Sequence, residues 1–514
     1  MATLILMALA ITMLVAIILT APMRPQMINN GTSDLHDISV EKKQAQDAPK
    51  GIPNAMPDPV DQVSAIIPLE PKELIKCLGF VLPEQGLGKD GLTDILEKIL
   101  QYSVNTWHQG FLHKLYATTN PIGVVSELIL AVLNTNLHVY KVSPALSVIE
   151  RLTSQKLANS FGLTGPHAGG GTHPGGSASN LAALVIARNT AFPAIRHKGN
   201  NGRNLVVFTS QDSHYSITKA AQTCGIGARN VWLVPVDAQG QMRVDRLTSL
   251  LKEARLQGYE PFFVNATAGT TVLGACDPLH EIADLCDKEG LWMHVDGSWG
   301  GAAIFSDKHR HKLRGIERAR SITTNPHKML GVPVTCSFLL ASDMRVFWRA
   351  NRSEAGYLFH QKSDEDDEVS WDLADATLQC GRKGDSLKLA LSWIYQGYEG
   401  LGRYVETGFD NAQYLASLVH EHPDLILVST FPPPCLQVCF YHQPDGSGDI
   451  SMVPVDEVTR HTRSICDRLG SRGLMIDFAP GPHGSFIRVV VNGCTTKATL
   501  QRIVHEVVTL DSSH

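Results

Sequence analysis

At 514 residues the chain is long enough for a large core and for two to four domains. With 43% hydrophobic and 18% charged residues its composition is ordinary for a globular enzyme, and a formal net charge of −5 excludes a broadly basic nucleic-acid-binding surface as its main business. Ten cysteines are scattered without a CxxC pair, and Cys435 and Cys439 lie in an apolar run, so free, mostly buried thiols in a reducing compartment are expected. His309 and His311 have no convincing metal-site context, and no metal is expected.

Residues 2–21 form an uncharged apolar run. About twenty such residues span a bilayer core, and no basic residue precedes them as in a secretory signal. The expectation is a membrane anchor, with Arg24, Lys42 and Lys43 placing the catalytic body on the cytoplasmic side. The alternatives are a cleaved or targeting segment or a wrongly placed start, which would make the protein simply cytoplasmic. Residues 23–71, rich in Pro, Asp, Gln and Lys, read as a linker, and 72–150 as a helical segment with apolar helical spacing over 74–99 and 122–133.

Over 151–400 short β-rich runs alternate with helical stretches, at 205–209, 231–236, 262–267, 291–296, 321–324 and 335–340. That alternation predicts an α/β domain built on a mostly parallel sheet, with ligands at the carboxyl ends of the strands. An acidic run at 364–368 reads as a solvated loop. Residues 401–514 read as a smaller α+β domain with strands near 436–441 and 486–491, and there is no internal repeat.

Four features fall at or just past strand ends. Lys328, in Asn325-Pro326-His327-Lys328, follows a predicted strand. Most lysines are solvated surface charges, but a buried amine with a lowered pKa is a nucleophile that condenses with aldehydes. Asp296 ends an apolar strand. A buried carboxylate needs a cation, such as a protonated pyridine nitrogen whose ring can take up an electron pair; otherwise it caps a turn. The glycine-rich loop 169–180 runs into a helix over 181–188, where free N–H groups suit a phosphate, although a flexible connector looks similar. His214, in Ser213-His214-Tyr215-Ser216, could stack on a cofactor ring or be an ordinary loop histidine. The order and spacing of the four suit one cofactor site.

Together these residues resemble the group II pyridoxal-phosphate (PLP) decarboxylases, which include animal glutamate and cysteine sulfinate decarboxylases. The resemblance runs from about residue 105 to 510 through the blocks SVNTWH, NTN, PGGSASN, SHYSITKAA, VNATAGTTVLGACDP, HVDGSWGG, RHKLRGIERA, NPHKMLG, AGYLF, LQCGR and FIRVVV. It implies a fold-type I, aspartate-aminotransferase-like architecture with a seven-stranded large-domain sheet, and a homodimer with interface active sites. It also implies that Lys328 holds PLP as a Schiff base, Asp296 pairs with the pyridine nitrogen, and His214 stacks on the ring. Thr267 would lie near the ring's phenolic oxygen. Ala178, Ser179, Asn325 and His327 would contact the phosphate, and Arg488 a substrate carboxylate, although a strand-end surface arginine would look the same.

The departures bear on substrate and outcome. The family's loop tyrosine, a proton donor, is replaced by Asp367, and no tyrosine lies between Tyr357 and Tyr395. His214, an acidic loop residue or water is left to donate. In the substrate wall Lys114 replaces Gln, Tyr116 replaces Ser and His138 replaces Phe, while Asn136 matches. Lys114 and Arg488 suit a second carboxylate, and Tyr116 shortens the pocket, which leans the reading from glutamate toward aspartate, giving β-alanine. The competing readings are another PLP reaction, such as aromatic decarboxylation, oxidative deamination or another lyase reaction, and a non-catalytic anchored binding protein.

Overall fold

The computed structural model describes residues 65–352, 370–443 and 449–510. The predicted anchor at 2–21, most of the linker and the acidic run with Asp367 lie outside these residues. Among the described residues no helix is long and apolar enough to cross a membrane.

A seven-stranded sheet forms the body. Its strands are β1 (Gly169–His173), β2 (Leu205–Ser210), β3 (Val231–Val234), β4 (Glu260–Thr267), β5 (Trp292–Gly297), β6 (Ser321–Thr324) and β7 (Ser337–Ala341). They are ordered β1-β7-β6-β5-β4-β2-β3, parallel from β3 to β6, with β7 antiparallel to both β6 and β1. Every predicted strand of this region is present. Strand β1 occupies the stretch expected as a glycine-rich loop, since glycines weaken strands in isolation. Here they are required: a Cβ at Gly170 would sit 1.9 Å from the Leu339 carbonyl oxygen across the β1–β7 pair.

The helix Gly176–Ala191 buries nearly all its inner turns, from Ser179 to Ala187, against the sheet, consistent with its short side chains. The helix predicted over 74–99 is two, Pro71–Leu78 and Gly88–Tyr102. Gly79, in the left-handed region at φ 54°, caps the first and donates its N–H to the Ile75 carbonyl. A second, antiparallel sheet contains β8 (Leu425–Leu427), β9 (Gln437–His442), β10 (Asp477–Gly481) and β11 (Gly484–Val490) in the order β10-β11-β9-β8. The boundary proposed at residue 400 falls inside the helix Ser386–His420, just beyond its break at Gly397.

Residues remote in sequence are stitched to both sheets. The Leu112 N–H donates to the Met475 carbonyl (3.0 Å), and the Leu112 carbonyl accepts from the Val490 N–H (2.9 Å), so the segment carrying Lys114 and Tyr116 rides on the small sheet. Glu150, fully buried, accepts from the Thr172 hydroxyl (2.6 Å) and pairs with Arg382 (2.6 Å), which in turn donates to the Thr172 carbonyl (2.6 Å). Replacing Glu150 with alanine strands a buried guanidinium, so a loss of about 3–5 kcal/mol is expected in urea unfolding. An unchanged midpoint would refute the assignment of Arg382 as a buried, pair-dependent brace of β1.

Candidate active site

Strand ends β2, β4, β5 and β6 converge where the topology reverses between β2 and β4, the place where such sheets bind ligands. Thr267 and Asp296 are in register on neighbouring strands, and Asn325 and Lys328 follow β6 directly. Asp296 is 4% exposed. Its Oδ2 accepts from Asn180 Nδ2 (2.8 Å) and its Oδ1 from the Ser298 N–H (3.0 Å). Burial alone would raise its pKa, but Ser298, the Lys328 charge and Asn180 together hold it below the usual carboxylate value. Burial pushes the Lys328 amine the other way, below its ordinary value, against the attraction of Asp296.

Behind Asp296 runs a polar chain that the sequence reading did not single out. Asn180 also donates to Ser216 Oγ (3.0 Å), and its Oδ1 lies 3.1 Å from His294 Nε2. An amide oxygen can only accept, so His294 carries its proton on Nε2. Nδ1 then accepts from the Ser321 hydroxyl (2.8 Å), which accepts from Trp292 Nε1–H (2.9 Å). Burial depresses the His294 pKa to about 4, which keeps this tautomer neutral. The clue was available: His294 and Asp296 alternate on one face of β5, and Asn180 closes the PGGSASN block.

His214 Nδ1 accepts from the Ser216 N–H (3.3 Å), and burial, chiefly, lowers its pKa. At the glycine turn the picture differs from the expectation. The Ala178 and Ser179 N–H groups both donate to the Gly175 carbonyl (3.0 and 3.1 Å), and the Ser179 hydroxyl pairs with Ser337 (2.7 Å). The helix N–H groups without an acceptor among the described residues are those of Gly176 and Ser177. A Cβ at Gly176 would lie 2.6 Å from Ser298 Oγ and 2.7 Å from Asn325 Nδ2, so glycine keeps this cradle open. His327 Nδ1 lies 2.7 Å from the Cys336 carbonyl oxygen, leaving Nε2 for another partner.

The residues expected in the substrate wall divide into two groups. Lys114 and Arg488 meet at Asp477, which the sequence reading missed: Oδ2 lies 3.0 Å from Lys114 Nζ and 2.6 Å from Arg488 Nη2. Tyr116 packs near Phe111 and is 42% exposed. Asn136 and His138 contact residues 372–382: Asn136 Oδ1 accepts from the Arg382 N–H (2.9 Å), and the His138 carbonyl accepts from the Ala374 N–H (3.0 Å).

The conserved domain of pyridoxal-dependent decarboxylases matches residues 71–443. The chain belongs to that family. It is 53% identical over 435 residues to an L-aspartate decarboxylase of Metarhizium robertsii, covering 84% of this chain and 86% of that protein. It is 39% identical over 463 residues to a glutamate decarboxylase-like protein of Gibberella zeae, covering 84% and 89%. The crystal structure of mouse CSAD superposes with a TM-score of 0.82 at 33% identity, covering 88% of this chain and 94% of that one. The protein is therefore a PLP-dependent carboxy-lyase of fold-type I, and the competing PLP reactions and the non-catalytic reading are not favoured.

The residues present fit PLP. Thr267 Oγ1 and Asn325 Oδ1 are buried without a partner, on either side of Asp296. The Gly176 cradle lies beside Asn325. The decarboxylase would hold the ring nitrogen at Asp296, the aldehyde carbon at Lys328 and the phosphate at the start of the helix Gly176–Ala191. Borohydride reduction of the holoprotein with peptide mapping is expected to label Lys328. Asn180→Ala removes a charge-assisted bond from Asp296, so PLP retention on dialysis should fall about tenfold or more; unchanged retention would reduce Asn180 to packing.

Proposed function

We propose that the decarboxylase acts on an acidic L-amino acid, with L-aspartate preferred over L-glutamate and β-alanine as the product. The carrying observation is the Lys114 ammonium, half-exposed and held at the small sheet by Asp477 (3.0 Å), a cation suited to a side-chain carboxylate. Tyr116 on the same segment supports a short pocket, and so does the 53% identity to a protein named L-aspartate decarboxylase.

PLP, when bound, supplies an electrophilic aldehyde and a ring that accepts the electron pair left as CO2 departs. This chain's residues do the rest. Lys328, whose amine burial pushes below its ordinary pKa against the attraction of Asp296, is the nucleophile at Nζ. Asp296, kept ionised by Ser298 and Asn180, holds a positive charge at the ring nitrogen. His214, whose Nδ1 accepts from the Ser216 N–H, carries its proton on Nε2, where it can donate a hydrogen bond and help orient the substrate.

A homodimer is part of this reading. The helices Pro71–Leu78 and Gly88–Tyr102 bury no residue, and Ile75, Phe80, Val81, Leu82 and Leu92 around them are 57–83% exposed. An apolar surface of that kind suits a second copy, and light scattering is expected to give twice the chain mass. Membrane anchoring through residues 2–21 rests on their uncharged apolar run and is proposed on that ground alone.

Comparing kcat/KM for aspartate, glutamate and cysteine sulfinate tests the substrate. Aspartate is expected to lead, and Tyr116→Ser to narrow its lead over glutamate. A clear wild-type preference for glutamate would overturn the aspartate assignment.

A further inference from the structure

Arg488 is 6% exposed, and its donors are largely committed. Nη1 donates to the Thr271 carbonyl (2.9 Å); Nη2 donates to the His113 carbonyl (3.2 Å) and to Asp477 Oδ2 (2.6 Å). Nε is buried without an acceptor. Two-pronged recognition of a carboxylate needs two parallel N–H groups. Both of the Nη2 hydrogens that would form a fork with Nε are engaged. A substrate carboxylate could take the fork only by displacing Asp477 or the His113 carbonyl.

Lys114 is in the opposite situation. Its side chain is 49% exposed against 16% for Asp477, and a single contact to Asp477 Oδ2 leaves two of its three N–H donors for another partner. Asp477 is the cross-strand neighbour of Arg488 in the β10–β11 pair, so its position is fixed by the sheet register. His113 Nδ1 lies 3.5 Å from the same Oδ2, and burial, chiefly, lowers the His113 pKa and favours its neutral form. With His113 neutral, Arg488, Lys114 and Asp477 together carry one net positive charge, matching one carboxylate.

We propose that Asp477 is a positioning residue for substrate choice: it locks Arg488 as a strut between the small sheet and the loop after β4, and it presents Lys114 as the receptor for the substrate's side-chain carboxylate. This deepens the acidic-substrate reading above and rests on it. It moves the carboxylate-binding role from the arginine to the lysine.

The test is steady-state kinetics of the full-length holoenzyme carrying Lys114→Met, Asp477→Asn or both. Losing a charge-assisted contact to substrate should raise KM for aspartate about tenfold or more in Lys114→Met, with kcat changed less than about twofold. Asp477→Asn should raise KM by a smaller factor. Because Asp477 acts on substrate binding through Lys114, the double variant should raise KM by less than the product of the two single effects. Lys114→Arg should recover part of the loss. Lys114 is exposed, so its variants keep the test valid if Asp477→Asn fails to fold. A Lys114→Met enzyme with wild-type KM, or effects that multiply in the double variant, would overturn the proposal. A wild-type enzyme that turns over no acidic amino acid would instead overturn the functional reading, and this inference with it.

Discussion

The site depends on a carboxylate placed where carboxylates are unstable. Asp296 lies at the end of a fully buried strand, and an unpaired charge there would cost several kcal/mol. The fold meets that cost with donors drawn from three separate stretches of chain: Asn180 from the helix after the glycine turn, the Ser298 amide just beyond β5, and the nearby charge of Lys328 after β6. Each donor is itself held. Asn180 is oriented by His294 and Ser216, and His294 by Ser321, so the amide cannot rotate to turn its oxygen toward Asp296 without breaking the chain behind it. Asp296 is thus the visible end of a longer polar structure.

The same reasoning accounts for the histidines. Burial pushes His173 down to about 3, and His294 and His327 to about 4. Near neutral pH none of the three adds a positive charge near the glycine turn. A phosphate there would be met by backbone N–H groups and the positive end of the helix Gly176–Ala191. Dipoles fixed by a helix need no reorganisation when a charged group arrives, whereas flexible cations would.

Much of the large sheet was legible because its strands are runs of apolar residues between turn signals, and their ends carry the chemically distinctive residues. Lys328, Asp296 and His214 could be named for that reason. What escaped shares one property: its meaning depends on a partner far away in sequence. Strand β1 is GGGTH, which has no strand character until Leu339 crowds it. The Ser179 hydroxyl has a hydroxyl partner in Ser337, 2.7 Å away and far off in sequence. Arg488 looks like a free strand-end cation until the β10–β11 register places Asp477 beside it, and nothing in the local sequence around Asp477 marks it as a partner. Asn136 and His138 sit close in sequence to Lys114 and Tyr116, yet they pack on residues 372–382.

The proposed cofactor floor and substrate wall meet in the short loop after β4. From the floor side, Asp277 clamps the end of the strand: its Oδ2 accepts from the Thr267 N–H (2.7 Å), its Oδ1 from the Met242 N–H (2.7 Å), and its own N–H donates to the Thr267 carbonyl (2.8 Å). From the wall side, Gln437 Nε2 donates to the Thr270 and Thr271 carbonyls (3.0 and 3.1 Å), and Arg488 donates to Thr271 (2.9 Å). Trp299, just beyond Asp296 and Ser298, closes the circle by donating to Gln437 Oε1 (2.9 Å). A loop pinned from both sides by buried groups has few alternative conformations of comparable energy. The small sheet therefore does not swing freely over the large one at this point. It fixes Lys114 on the small sheet relative to Lys328 on the large one, and under the proposed assignment that separation would measure the length of the amino acid.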